Sequence, residues 1–289
     1  MISIEKKLYE MNVNFRIDGP SADIGQLGLA GYGPEENYCT FISSEKYLHE
    51  MNKNVVAVIT TSEIAEQLVA MGKMVIVVEN PAVVFFRLHN CLTNIAFEKD
   101  ENKISETAVI SKSALISSHN VVIGENSIIE DDVKVYDNTH IGNNVIVRAG
   151  SVIGGQEFEY KRDGDEVFHV NHVGHTIIND GVEIGYNSIV GRAIYPWDKT
   201  EVGKQTKMAD NVVIGHGAKI GKCNLIGAGT VICGRCNVGD DVWIGPNCSI
   251  SNALTVGSES HIGIGSVVIN NILEGKSVFG NPARTMPGI

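Results

Sequence analysis

The chain has 289 residues, room for one large domain or two ordinary ones. Its formal charge of −11, from 23 basic and 34 acidic side chains, argues against nucleic acid or an anionic membrane as a partner. The opening MISIEKKLYE holds no apolar core, and no apolar run approaches the roughly 20 residues of a bilayer span, so neither a signal peptide nor a membrane span is expected.

Residues 1–100 read as a small α/β domain. NVVAVIT (54–60) and MVIVV (74–78) are apolar runs of buried-strand length, with SEIAEQLVAM (62–71) a helix between them. NPAVVFFRLHNCLTNI (80–95) reads as a further helix, with Asn80 as N-cap and Pro81 at its first position. From residue 101 to 289 the sequence repeats. Stepping by six from Val202 to Val268 meets twelve aliphatic residues, Ile214, Ile220 and Ile226 among them. Shorter runs of the same period cover Ile104–Ile116, Ile123–Ile153 and Ile178–Val190. The residue four after the aliphatic is often small, as at Ala218, Thr230 and Cys236. A period of six suits short strands joined by tight corners, three strands closing a triangular coil of 18 residues. Coils stacked at the strand spacing of about 4.8 Å would build about eight layers, a prism roughly 40 Å long with one continuous aliphatic column. Two segments interrupt it. QEFEYKRDGDEVFHVNH (156–172) reads as a hairpin around a charged turn, and YPWDKTE (195–201) as a loop. Excursions from a solenoid often gather on its binding face.

Six scattered cysteines fit reduced thiols of the cytoplasm better than a disulfide framework. Cys233-Gly-Arg-Cys236 has redox-motif spacing, but Cys236 falls on an inward small-residue position, so core packing is the better account. His169, His172 and His175 are spaced by three, which alternates faces on a strand and makes a poor metal site.

The period resembles the hexapeptide repeat of left-handed parallel β-helix proteins. A small α/β domain, then NPAVVFFRL, then hexapeptide coils looks like the UDP-3-O-acylglucosamine N-acyltransferase (LpxD-like) family over nearly the whole chain. The fold class implied is mainly β: a left-handed parallel β-helix preceded by a small α/β nucleotide-binding domain. The family stacks its substrate's uracil between aromatics, and Phe41 and Tyr47 of FISSEKY sit at those places. Ser44 replaces the family's usual Asn, so the base is uracil or thymine. The alternative is that Phe41 and Tyr47 are ordinary strand-end aromatics. In GGQEFEY, Phe158 and Tyr160 keep the family's aromatic places. Glu157 and Glu159 replace glycines, which crowds a long acyl chain and suits a polar sugar, unless they merely face solvent on the hairpin.

The resemblance places the family's catalytic histidine, two residues after an aliphatic, at His216 of IGH. That corner is expected to point outward, toward a groove against a neighbouring subunit, where an imidazole can take a proton from an attacking amine. One coil on stands Gly234, whose N–H would hold the tetrahedral oxyanion and whose missing Cβ would let the thioester carbonyl approach. The bland reading of His216 is a corner residue. A second family histidine would fall at Ala253, with Asn252 beside it, and so is absent. Asp210, one corner before His216, is a candidate for holding the sugar amine, or a turn aspartate bonding its own backbone.

IGHGAKIGKC also resembles γ-class carbonic anhydrases, zinc trimers whose second ligand would fall on Gly221, so the ligand count fails. A non-enzymatic trimeric scaffold is a third alternative, and the lipid A N-acyltransferase using acyl carrier protein a fourth. The reading adopted is a cytoplasmic N-acyltransferase, with no bound cofactor or metal. It would move an acyl group from acyl-CoA to the amine of a UDP- or dTDP-linked amino sugar for a surface glycan. Family active sites lie between prisms, so a homotrimer is implied. CoA is expected as donor because family members that use carrier protein continue into C-terminal helices, while this chain stops at VFGNPARTMPGI. Residues 212–289 carry five basic and four acidic side chains, against 18 and 30 elsewhere, which would repel an acidic carrier. A CoA phosphate needs only a local cation, Lys276 or Arg284, with Asn252 also a candidate CoA contact. The alternative is that those cations merely solvate the last coil.

Overall fold

The computed structural model describes residues 3–93 and 99–286. It divides by contacts into two units, Met1–Phe97 with Phe158–Asn171, and Glu98–Glu157 with His172–Ile289.

The first unit is a small α/β domain. Its elements are α1 (Ile4–Glu10), β1 (Arg16–Asp18), β2 (Gln26–Leu27), β3 (Tyr38–Ile42), β4 (Val55–Thr60), α2 (Ser62–Ala70), β5 (Met74–Val77) and α3 (Pro81–Thr93). The strands form one sheet in the order β1-β5-β4-β3-β2, parallel except for β1 against β5. Strands β4 and β5 and helices α2 and α3 match the apolar runs of the sequence; β4 is buried along nearly its whole length, as a central parallel strand should be, whereas α2 buries one side through Ile64, Ala65 and Leu68. Asn80 caps α3 as expected, its Oδ1 accepting Val83 N–H at 3.4 Å. The expected end of that helix, Asn94 and Ile95, lies outside the described residues. Tyr38, Val55, Val58, Leu68 and Val75 form the core.

The first excursion belongs to this unit and not to the repeats. Tyr160–Asp163 and Glu166–His169 pair antiparallel as the expected hairpin. Arg87 of α3 donates to Asp163 (2.9 Å) and Glu166 (2.6 Å) and lies 4.5 Å from the Phe168 ring. Asn90 adds two bonds, to His169 O (2.7 Å) and from Asn171 N–H (2.9 Å).

The second unit is the expected left-handed parallel β-helix. Strands of two to four residues stack every third one into three parallel sheets, apart from an antiparallel pair at the chain's end. Ile214 aligns with Ile232, Ile232 with Ile250 and Ile250 with Val268, and the first three are fully buried. The corners have a signature of their own. Every sixth residue from Gln205 to Gly265, three after each aliphatic, has positive φ. Asn, Asp and Gly fill most of these places because they tolerate the left-handed region best. The second excursion is shorter than expected: Lys199–Val202 is already a strand, paired with His175–Ile178. Its loop is fastened to the preceding coil by Val173 N–H to Ile194 O (3.1 Å), Gly174 N–H to Ala193 O (2.9 Å) and His175 N–H to Asp198 O (2.9 Å). Among the described residues no helix is long and apolar enough to cross a membrane.

Candidate active site

The candidate site lies on one edge of the prism, at the corner after Ile214. A residue two places after the inward aliphatic leaves the strand ladder, so its amide needs another partner. At some equivalent corners a side chain of the next coil supplies one: Asp210 accepts Tyr186 N–H (3.0 Å), Asp240 accepts Lys222 N–H (2.9 Å) and Ser258 accepts Asp240 N–H (3.1 Å), whereas among the described residues the Ala228, Asn252 and Ile264 amides have none. Gly234 stands at such a corner, and among the described residues its N–H is taken up by neither backbone nor side chain.

His216 does not project into an open groove as expected. It is only 9 % exposed. Its ring meets that of His172 edge-on at 5.2 Å, and His172 is fully buried. It also lies against Gly234: a Cβ there would stand 2.6 Å from Nε2 and 2.7 Å from Cε1 of the imidazole. The missing side chain of Gly234 therefore makes room for the His216 ring. The next residue, Gly217, has φ of +68°, and its N–H donates to Thr200 Oγ1 at 2.8 Å. Asp198 Oδ2 stands 3.1 Å from where a Gly217 Cβ would be. Asp198 Oδ1 accepts Lys199 N–H (2.7 Å) and Lys219 Nζ (2.9 Å), so a buried carboxylate faces the backbone beside His216.

One coil before His216, in register through Val190 and Ile214, is Arg192. It is buried, paired with Asp137 at 2.8 Å and donating to Gly154 O at 3.0 Å. Glu157 lies across Gly191, where a Cβ would stand 2.2 Å from its Cγ and 2.7 Å from its Oε1. Desolvation pushes its carboxyl up to about 7. Burial first, and then the Glu157 charge, push the Cys233 thiol up. Glu157 is thus part of the β-helix wall, whereas Glu159 is ion-paired to Lys161 within the hairpin unit.

Of the other expected site residues, Asn252 is exposed and lies one coil beyond Gly234 on the same edge. Asp210 is exposed on the preceding corner, and the structure does not bring it together with His216. It accepts Tyr186 N–H, so as a turn aspartate it bonds the neighbouring coil and not its own backbone. Lys276 and Arg284 are exposed beside the last strand pair, away from that corner's row. The aromatic set lies in the first unit. Phe41 packs against Phe85 (5.0 Å) and Phe86 (5.6 Å), which commits part of its ring to the core. Tyr47 is 39 % exposed beneath Lys46, in the turn that follows Ser44. Phe158 and Tyr160 are exposed, 5.1 Å apart. Cys236 is fully buried, as the packing account expects. Among the described residues no three His, Cys, Asp or Glu side chains could together hold a metal ion.

Sequence reasoning missed His172, Arg192 and Asp198 as neighbours of this corner. Arg192 could have been found by continuing the coil register downward across the second loop. His172 and Asp198 carry no periodic signal.

Comparison with known proteins agrees with the repeat. The family model described as bacterial transferase hexapeptide (six repeats) matches residues 120–155. The UDP-3-O-acylglucosamine N-acyltransferase of Wolinella succinogenes is 39 % identical over 77 residues, 26 % of this chain and 23 % of that protein. Its counterpart in Helicobacter pylori strain J99 is 44 % identical over 59 residues, 20 % of this chain and 18 % of that protein. The matches thus span less than a quarter of those curated relatives. The crystal structure of Francisella novicida UDP-N-acetylglucosamine acyltransferase aligns with a TM-score of 0.53 at 23 % identity, over 64 % of this chain and 69 % of that one. The UDP-N-acetylglucosamine acyltransferase of Campylobacter jejuni aligns with 0.53 at 18 %, over 64 % and 74 %. At those identities the likeness is one of fold.

Proposed function

We propose that this protein is an N-acyltransferase that moves an acyl group from a thioester to the amine of a nucleotide-linked amino sugar. The observation that carries the reading is the His216 imidazole seated on Gly234, beside a corner amide with no partner in the coil. The neutral amine attacks the thioester carbonyl carbon. His216 takes the amine proton, the Gly234 N–H donates to the oxyanion, and the imidazolium returns its proton to the departing thiolate. Asp198, facing the Gly217 backbone, keeps the corner and its imidazole in place.

In this reading Phe41, Ser44 and Tyr47 receive the UDP or dTDP base, with Phe158 and Tyr160 beside the substrate, and Asp210 remains a candidate for the sugar. The donor is acyl-CoA, with Asn252, Lys276 and Arg284 as contacts for its pantetheine and phosphates. The protein works as a cytoplasmic homotrimer, without a bound cofactor, and its product enters a surface glycan. The curated relatives' names favour one second reading, N-acylation of a UDP-linked 3-O-acylated glucosamine, which we pair with a carrier-protein donor and a lipid A role. One experiment tests both. UDP- and dTDP-amino sugars are incubated with the same acyl group on CoA and on acyl carrier protein, and amide formation is followed by mass spectrometry. Amide from CoA with a non-acylated amino sugar supports the first reading. A kcat/KM more than about tenfold higher for carrier protein, about 1.4 kcal/mol in transition-state binding, selects the second. No amide from any pair refutes both.

A further inference from the structure

We propose that Arg235 is a phosphate subsite at the His216 corner: its guanidinium receives the phosphate that the nucleotide-linked amino sugar carries on its ring. The inference rests on the N-acyltransferase reading and names the part of the acceptor that this corner holds.

Three observations carry it. The first is position. Arg235 follows Gly234, and its N–H donates to the His216 carbonyl at 2.8 Å. In register through Ile214, Ile232 and Ile250, the residues Gly217, Arg235 and Ala253 stack on successive coils of one edge. The Arg235 side chain turns back along that row, since its Cγ stands 3.3 Å from where a Gly217 Cβ would be. Its stem therefore covers the residue next to His216, and its guanidinium begins just beyond. Gly217 and Ala253 put no polar side chain beside it.

The second is the state of its charge. Among the described residues the half-buried Arg235 guanidinium makes no ion pair or hydrogen bond, and its Nε is buried without a partner. Asp198 Oδ2 lies 3.1 Å from the same Gly217 point, yet that carboxylate is engaged by Lys219 Nζ (2.9 Å) and Lys199 N–H (2.7 Å). Other arginines drawn into this unit do have carboxylates. Arg148 lies between Glu130 (2.7 Å) and Glu183 (2.5 Å), and Arg192 pairs with Asp137 (2.8 Å). A cation held partly out of water is costly unless an anion compensates it.

The third is the company it keeps. The Gly234 and Asn252 amides on either side of Arg235 along this edge have no partner among the described residues. Ala228 and Ile264 have equally bare amides at other corners, but glycine follows each, Gly229 and Gly265. Only at the His216 corner does a fixed positive charge join them, and bare N–H groups with a cation make an anion site.

A guanidinium offers a planar fork that fits phosphate oxygens, and it stays charged at every working pH. Both substrates carry phosphate. The thioester carbonyl must reach the Gly234 N–H, which leaves the phosphates of acyl-CoA a whole pantetheine arm away. The acceptor amine must reach His216, and the sugar-linked phosphate hangs from the same ring as that amine. The acceptor's phosphate is therefore the one that comes to Arg235.

Calorimetry on wild type, Arg235→Gln and Arg235→Lys tests this with UDP-glucosamine, dTDP-4-amino-4,6-dideoxyglucose, UMP, dTMP and CoA. UMP and dTMP keep the nucleoside and its first phosphate but lack the sugar-linked one. The expected result is a roughly 10- to 100-fold loss of affinity for the better-bound nucleotide sugar in Arg235→Gln, the scale of a charge-assisted hydrogen bond. The matching monophosphate and CoA should bind within about threefold of wild type, which also shows that the variant is folded. Arg235→Lys, which keeps the charge but not the fork, should recover part of the loss. Unchanged nucleotide-sugar affinity in Arg235→Gln, an equal loss for the monophosphate, or a loss confined to CoA overturns the assignment. Acyl transfer by wild type, measured alongside, separates the two claims. A wild type that acylates the amino sugar, with Arg235→Gln binding that sugar equally well, removes only the role of Arg235. A wild type that neither binds nor acylates any nucleotide-linked amino sugar removes both.

Discussion

Gly234→Ala is the sharpest single perturbation of this site, because one methyl group tests whether the imidazole's seat matters. The new Cβ would lie 2.6, 2.7 and 3.0 Å from Nε2, Cε1 and Cδ2 of His216. Carbon contacts are comfortable at about 3.5–4.0 Å, so the ring must retreat by about 1 Å or rotate away. No backbone strain enters, since Gly234 is not among the positive-φ residues. Retreat is obstructed by the fully buried His172 ring on another side. Overpacking of this kind costs about 1–3 kcal/mol of stability. A base displaced by about 1 Å loses about 10²-fold in rate, so kcat should fall by about that factor while the fold survives. Steady-state kinetics on the amine acceptor, with thermal unfolding as the control for folding, reads both. A stable Gly234→Ala protein with wild-type kcat would refute the claim that His216 acts from this seat.

His216→Ala should lower kcat by about 10²–10⁴ with nucleotide affinity nearly unchanged, and a kcat within about threefold of wild type would exclude it as general base. Phe41→Ala should weaken nucleotide-sugar binding by about 1–3 kcal/mol in calorimetry of a folded mutant, so unchanged affinity argues against base stacking there. Ile232→Ala, in the fully buried column between Ile214 and Ile250, should lose about 2–5 kcal/mol in denaturant unfolding, and a loss under 1 would mean the column repacks freely. The Glu157 carboxyl, ordinarily near 4.5 and pushed to about 7, keeps in the folded state a proton that the unfolded chain has already lost. Wild-type stability should therefore fall relative to Glu157→Gln as pH rises from about 4.5 through 7. The gap is about 1–2 kcal/mol, because water still reaches part of the group, and a gap constant from pH 5 to 8 contradicts the burial.

Much of this molecule is local, and local rules are legible. A strand's inward residues are set by alternation, so an aliphatic every six residues is enough to read short strands around one column. The corner positions were equally readable, since Asn126, Asp132, Asn138 and Asn144 repeat where positive φ is needed. Helices α2 and α3 followed from apolar run length and the Asn80 cap. His216 and Gly234 were neighbours by counting one coil of 18 residues, because regular coils convert sequence distance into stacking distance. That conversion fails wherever an excursion breaks the count. Arg87 finds Asp163 76 residues away and docks the hairpin on α3, a choice made by side-chain reach and not by period. His172 meets His216, and Glu157 lies on Gly191, across interruptions whose lengths carry no repeat. The direction of the imidazole was decided in the same way. Sequence places it at a corner, but only the packed rings and the bare Cα of Gly234 determine that it lies against the next coil instead of standing in solvent.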